Sequence, residues 1–302
     1  MLTGGSGMVG QNLIRSKPNH IQVLAPPRSE VDLLDFNSVL AYINLKKPDL
    51  IIHSAGLVGG IAANMSNQVE FLIQNTEIGK NVVLAAQKCR INNLLNLGSS
   101  CIYPKNVEGS LKESMMMTGK LEPTNEGYAL AKIFIVSLCR FIVDSYESFN
   151  YKTIIPCNLY GMWDNFDPIS SHMIPAVIRK IHVAKMNKLP SVEIWGNGKA
   201  RREFMYAGDL ADFIWTSINK FNDLPDLMNI GIGEDRSIRE YYQVISDVIG
   251  YDGEFTFDLS KPVGMKRKLV DISLQSNFGW SSPTSLDKGI ELTYNFFKKN
   301  EQ

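Results

Sequence analysis

Tyr128-Ala-Leu-Ala-Lys132 sets a phenol four positions before an ammonium. On a helix that spacing puts both side chains on one face. The cation favours the phenolate and is expected to lower the tyrosine pKa from its ordinary value of about 10. Such a pair can give and take a proton near neutral pH. Upstream, Gly98-Ser99-Ser100-Cys101 can bring a serine hydroxyl from a strand end to the same substrate oxygen. Near the start, Gly4-Gly5-Ser6-Gly7-Met8-Val9-Gly10 has the glycine spacing of a turn that holds a dinucleotide diphosphate. A hydride carrier held there would complete a carbonyl reductase. Singly, a Tyr-x-x-x-Lys pair is most often surface and a glycine run most often a plain turn. Three requirements met in this order make coincidence the poorer account.

The elements that must position these residues are legible in the periodicity. A helix is expected from Val9 straight after the glycine turn. Short apolar strands are expected at Ile21–Leu24, Leu50–His53, Leu94–Leu97 and Lys152–Pro156, with helices over 36–46, 64–90 and 126–148. Strands spaced by helices predict a Rossmann-type α/β fold, a doubly wound parallel sheet with helices on both faces. Reactive groups in such folds gather beyond the carboxyl ends of the strands. Gly4–Gly10, Ser54–Gly60, Ser99–Tyr103 and Asn158–Gly161 all follow expected strands. In the second half, helices are expected over Met173–Met186, Asp209–Lys220, Ser237–Ile249 and Ser285–Lys299. Strands are expected at Val192–Trp195, Asn229–Gly233 and Phe255–Phe257. Ser237 with Glu240 three residues on reads as a capping box. Residues 1–160 with roughly 203–233 are expected to hold the cofactor, and 161–202 with 234–302 to form a smaller α/β substrate-binding domain. Only Met1-Leu2-Thr3 precede the first glycine. The first strand is therefore expected to be unusually short, or the chain to lack its natural start, with a weaker sheet centre in consequence.

Composition narrows the function classes. Lys and Arg together number 31, as do Asp and Glu, so the formal net charge is zero and a nucleic-acid partner is not expected. No uncharged apolar run approaches the roughly eighteen residues that span a bilayer, and no signal-peptide pattern opens the chain. A cytoplasmic protein with no membrane partner is expected. Cys89, Cys101, Cys139 and Cys157 show no C-x-x-C spacing and no histidine cluster, so neither a disulfide framework nor a metal site is expected. Cys89 and Cys139 read as small core residues. His53 and His182 read as structural, and His20 as exposed.

The cofactor choice turns on the end of the second expected strand. A carboxylate there would bind the ribose 2′-hydroxyl of NAD. Leu24-Ala-Pro-Pro-Arg28 offers none and ends in a guanidinium, which suits a 2′-phosphate, so NADPH is expected over NADH. Asp35 or the Leu34 backbone is placed to contact the adenine. Ser6, Gly7, Met8 and Val9 are expected to line the diphosphate.

With Gly98-Ser-Ser-Cys-Ile-Tyr-Pro-Lys105, Glu122-Pro-Thr-Asn-Glu-Gly-Tyr128 and Asn158-Leu-Tyr-Gly161 in view, the chain resembles the GDP-L-fucose synthase family. These are bifunctional 3,5-epimerase/4-reductases of the extended short-chain dehydrogenase/reductase superfamily. The likeness also covers Ala55–Gly60, Asp164–Phe166 through Ser171-His-Met-Ile-Pro175, Trp195–Gly198, Arg202-Glu-Phe204 and Ser260-Lys-Pro262. The resemblance implies that Ser99, Tyr128 and Lys132 form the reductase triad. It implies that Cys101 and His172 move protons during epimerisation. A ketone at C4 acidifies the hydrogens at C3 and C5, and inversion needs a base on one face and an acid on the other. Cysteine and histidine, with ordinary pKa values of about 8.5 and 6.5, can both serve near pH 7. The resemblance further implies cofactor contacts from Gly4, Asn158, Leu159 and His172. Nucleotide-sugar contacts are implied for Asn158, Lys180, Trp195, Arg202 and Lys261. Lys180 stands where the family often has arginine, which implies a monodentate diphosphate contact.

Three functions follow as expectations. The first is NADPH-dependent conversion of GDP-4-keto-6-deoxy-D-mannose to GDP-L-fucose by a homodimer, built through the helices at 64–90 and 126–148. The second is C4 reduction, with or without epimerisation, of another GDP-4-keto sugar such as a heptose. Met162-Trp163, which departs from the Gly-Pro-like continuation usual after Asn-Leu-Tyr-Gly, leaves that open. The third is a catalytically silent NADP-binding sensor, which has no use for Ser99, Tyr128 and Lys132 together.

Overall fold

A computed structural model describes residues 1–168, 170–261 and 263–300. Pro262, in the Ser-Lys-Pro segment, lies outside the described residues. In chain order the strands begin with β1 (Leu2–Thr3), β2 (Leu50–His53), β3 (Asn93–Leu97), β4 (Asn150–Pro156), β5 (Asn158–Tyr160) and β6 (Ser191–Trp195). They continue with β7 (Arg201–Arg202), β8 (Phe204–Tyr206), β9 (Leu227–Ile230), β10 (Arg236–Ser237), β11 (Glu254–Asp258) and β12 (Arg267–Lys268). The helices of the first half are α1 (Met8–Ser16), α2 (Phe36–Lys46), α3 (Ile61–Ser66), α4 (Gln68–Lys88) and α5 (Glu126–Ser145). Those of the second half are α6 (Met173–Met186), α7 (Ala207–Ile218), α8 (Ile238–Ile249), α9 (Ser273–Phe278) and α10 (Leu286–Asn300).

The main sheet is parallel, in the order β1-β2-β3-β4-β9. Leu94, Leu95, Ile154 and Ile155 are fully buried, as expected of parallel strands covered on both faces. Leu13 of α1 and Leu210, Phe213 and Ile214 of α7 pack one face. Val39 and Ile43 of α2, Val82 and Val83 of α4 and Ile135 of α5 pack the other. That is the doubly wound architecture expected from the alternating pattern. A second apolar core joins α6, α8 and α10 to β6 through Ile178, Ile181, Ile194, Ile245 and Phe297. The short β5–β8 pair runs between the two cores. Among the described residues no helix is long and apolar enough to cross a membrane.

Local chemistry sets several boundaries. The Ser237 hydroxyl accepts the Glu240 N–H at 3.2 Å, and the Glu240 carboxylate accepts the Ser237 N–H at 2.6 Å, the capping box read from the sequence. Tyr241, Tyr242, Ile245 and Ile249 bury the opposite face of α8, each stabilising the fold by about 1.5–3 kcal/mol.

Three expectations need correction. The stretch Ile21–Leu24 forms no strand; one bond, from the Leu2 N–H to the Leu24 carbonyl at 2.8 Å, ties it to β1. β1 has two residues, too few backbone groups to build a ladder on its far side. β1 is therefore an edge of the assigned sheet, and its shortness does not weaken the sheet's centre. The helix expected over 64–90 breaks at Asn67, whose side-chain amide donates to the Ala63 carbonyl at 3.1 Å. That bond competes with the helical one at the same carbonyl, and α4 starts afresh at Gln68.

Candidate active site

A cleft of about 1590 Å³ opens over the carboxyl ends of β1 to β4, and every expected site residue except Leu34 and Asp35 lines it. At its nucleotide end Gly4 has φ +73°, and a Cβ there would lie 2.8 Å from the Ala55 backbone. A Cβ at Gly10 would lie 2.2 Å from the Gly4 carbonyl oxygen. Side chains are thus excluded from the turn, and backbone forms the wall. α1 starts at Gly7 with no side-chain cap and no acidic residue in its first turn. Its N–H groups and positive dipole end remain available to a diphosphate. Ser6, Gly7, Met8 and Val9 form this wall, with Asn158 and Leu159 beyond it and Arg28 exposed at the rim. These residues fit a dinucleotide carrying a 2′-phosphate. The adenine contacts expected of Leu34 and Asp35 are not borne out. The Asp35 carboxylate caps α2 by accepting the Asn37 N–H at 2.9 Å, and the Leu34 carbonyl accepts from Asn81 at 3.0 Å. Neither residue lines the cleft.

The reactive groups meet where β3 ends against α5. Ser99 lies two residues past the end of β3, and its hydroxyl accepts the Cys101 N–H at 3.3 Å. Tyr128 and Lys132 share one face of α5, with the Lys132 ammonium 5.8 Å from the centre of the Tyr128 ring. That ammonium donates to the Leu97 carbonyl at 2.9 Å, and burial pulls its pKa down to about 8. The phenol does not become acidic. Burial pushes its pKa well up, the charge on Cys101 adds to that, and the hydrogen bond with Ser99 only partly opposes it. The expectation of a lysine-activated phenolate is therefore overturned for the protein by itself: the ammonium serves a carbonyl, and Tyr128 holds its proton firmly.

Cys101 behaves in the opposite way. Burial pushes its thiol up, but the Lys268 ammonium and hydrogen bonds involving Ser99, Lys268 and Asn125 outweigh it, and the net shift is downward. Asn125 donates to the sulfur at 3.0 Å and Lys268 at 3.3 Å. His172, the residue before α6, has its pKa lowered by burial first and by Lys268 second. The cleft thus makes the thiol more acidic than usual and the imidazole harder to charge than usual.

Sequence reasoning missed Lys268 and Asn125. Asn125 stands three positions before Tyr128, a signal that could have been read. Lys268 lies 167 positions from Cys101 in a two-residue strand, and no local pattern marks it.

The far end of the cleft is cationic. Lys180 on α6 donates to the Glu193 carbonyl at 2.5 Å. Arg202 in β7 donates to the Arg201 and Val263 carbonyls at 2.8 Å. Trp195, at the end of β6, is 43% exposed and so is not core; the Lys261 ammonium lies 5.7 Å from its ring centre. Asn158 donates to the Glu203 carbonyl at 2.8 Å. Three cations and an open indole at one end of a neutral chain suit a nucleoside diphosphate. His53 is structural, buried and hydrogen-bonded to Thr3 at 2.8 Å. His182 contacts the Tyr294 hydroxyl at 2.9 Å, and His20 is exposed.

Residues 1–231 match the NAD dependent epimerase/dehydratase family. The chain belongs to that family. It is 52% identical over 298 residues to the GDP-L-colitose synthase of Yersinia pseudotuberculosis, covering 98% of this chain and 97% of the relative. It is 46% identical over 298 residues to the GDP-L-fucose synthase of Azorhizobium caulinodans, covering 98% and 95%. Among solved structures it superposes on MlghC, a GDP-mannoheptose C4 reductase from Campylobacter jejuni with NADP bound, with a TM-score of 0.89. That pair is 29% identical, covering 98% of this chain and 97% of the other. The resemblance to GDP-L-fucose synthases read from the motifs is borne out, as is the expected enzyme class, an NADP-dependent nucleotide-sugar epimerase/reductase. The NADP cofactor expected from the sequence is the one bound in that neighbour.

Proposed function

We propose that the chain converts GDP-4-keto-6-deoxy-D-mannose to GDP-L-fucose, by epimerisation at C3 and C5 and reduction at C4. The observation that carries this reading is one cleft lined both by Cys101, its sulfur 3.0 Å from the Asn125 amide and 3.3 Å from the Lys268 ammonium, with His172, and by Tyr128 with Ser99 and Lys132. Reduction alone would need only the second. Cys101 removes a proton from the carbon beside the ketone, leaving an enolate. His172, reprotonated from solvent, supplies the opposite face. Bound NADPH supplies hydride to C4. Tyr128 delivers the proton to the C4 oxygen, Ser99 holds that oxygen, and Lys132 supports the tyrosine from α5. Lys180, Arg202 and Lys261 neutralise the diphosphate, while Trp195 and Asn158 hold the nucleotide sugar. Residues 1–160 with about 203–233 serve the cofactor, and 161–202 with 234–302 serve the sugar nucleotide.

A second reading is C4 reduction of another GDP-4-keto sugar such as a GDP-heptose. Trp163 favours it: with φ +63° it packs on Phe296 at 5.2 Å between ring centres and lines the cleft. The high identity to a GDP-L-colitose synthase also supports a different sugar. The test is incubation with NADPH and a panel of GDP-4-keto sugars in deuterated water, with products read by NMR. Deuterium at both C3 and C5 with reduction at C4 is expected, and Cys101→Ser should lose the label while still reducing. Reduction without label in the unmodified enzyme would leave the second reading standing.

The working unit is a cytoplasmic homodimer. α4 and α5 pack together and expose Val69, Ile73, Leu130, Phe134 and Phe141, an apolar face suited to a two-fold four-helix interface. A monomeric mass by light scattering at micromolar concentration would refute the dimer.

A further inference from the structure

We propose that Lys268 is a positioning residue of the epimerase pair, its buried ammonium holding Cys101 as the thiolate that starts inversion. Lys268 is 9% exposed, and its Nζ lies 3.3 Å from the Cys101 sulfur. Among the described residues no carboxylate pairs with this ammonium. A buried cation facing a neutral thiol would be an uncompensated charge, whereas facing a thiolate it is half of an ion pair. The sulfur is therefore the lysine's counter-ion as much as the lysine is the sulfur's.

The backbone around Lys268 is held for this. β12 runs parallel to β7 with Lys268 opposite Arg202. The Glu203 N–H donates to the Lys268 carbonyl at 3.2 Å, and the Glu203 carboxylate accepts the Val270 N–H at 2.9 Å. One fully buried residue thus holds the chain at the lysine's own carbonyl and again two residues beyond it. The other titratable groups that bear on the sulfur are committed elsewhere. From α5, Lys132 donates to the Leu97 carbonyl and Tyr128 keeps its proton. From β7, Arg202 donates to backbone carbonyls. His172, ahead of α6, is held neutral by burial and by the same lysine. Asn125 completes the sulfur's surroundings with a neutral hydrogen bond at 3.0 Å.

The step balances. The thiolate takes the proton from carbon, the C–H electron pair enters the enolate, and Lys268 keeps its proton throughout. Ion pair and neutral sugar become thiol, ammonium and enolate, with no net change of charge. The purpose of the ion pair rests on the epimerase reading, but its existence does not.

The test needs no substrate. The rate of Cys101 alkylation by iodoacetamide is followed against pH, with the modified peptide counted by mass spectrometry. The unmodified protein should reach half its maximal rate below the ordinary thiol value of about 8.5. Lys268→Met should move that midpoint up by about one pH unit or more and slow alkylation at pH 7 about tenfold, while Lys268→Arg should keep it low. An unmodified midpoint at or above about 8.5 overturns the proposal without any variant, as does an unmoved midpoint in a Lys268→Met protein that still binds NADPH. Absence of deuterium in the sugar alongside a low midpoint would instead count against the epimerase reading alone.

Discussion

Around Tyr128 the nearest ammonium, that of Lys132, donates to the Leu97 carbonyl; around Cys101 the nearest, that of Lys268, donates to the sulfur itself. Burial pushes both groups toward their neutral forms. The difference is where the adjacent cation is committed, and it shifts one group toward keeping its proton and the other toward giving it up. Proximity to a lysine therefore does not predict acidity; the lysine's own acceptor does. The arrangement also couples the two regions, because charge on Cys101 raises the pKa of both Tyr128 and Lys132.

The sharpest break in this comparison is Tyr128→Phe. It removes the held proton and should lower C4 reduction about 10²–10⁴-fold, with NADPH affinity in a fluorescence titration little changed. A loss under about tenfold in a folded protein would move the acid to another group. The second is a pH profile. Lys132 loses its charge as pH rises through about 8, so reduction should be sustained below that value and fall above it. Lys132→Met should flatten the alkaline limb, and an unchanged limb would mean that the ammonium is not the titrating group. Asn125→Ala should have a smaller effect. It deletes a neutral hydrogen bond, worth about 0.5–1.5 kcal/mol, and should raise the Cys101 alkylation midpoint by less than Lys268→Met does. An equal shift would mean that hydrogen bonding, not charge, sets the thiolate. The smallest concerns the rim. NADPH should bind more tightly than NADH, and Arg28→Ala should narrow the gap only severalfold, since the guanidinium is exposed. Equal affinities in the unmodified protein would remove the 2′-phosphate argument.

The local elements were largely legible. α2 and α6 fall over 36–46 and 173–186 as the periodicity predicts, because each has an apolar stripe that a helix can bury. The α8 capping box was readable because its partners are three residues apart. The strand expected at Ile21–Leu24 and the break at Asn67 were not. Both depend on which backbone groups find partners in space, and periodicity is blind to that.

The amino-acid order by itself determined the glycine turn, the helix that carries Tyr128 and Lys132, the parallel α/β class and the family, since each is written in short-range spacing. Only the tertiary structure decided which proton each side chain holds. A pKa is set by burial and by the nearest charge, and in this cleft the deciding charge on Cys101 comes from Lys268, 167 residues further along the chain.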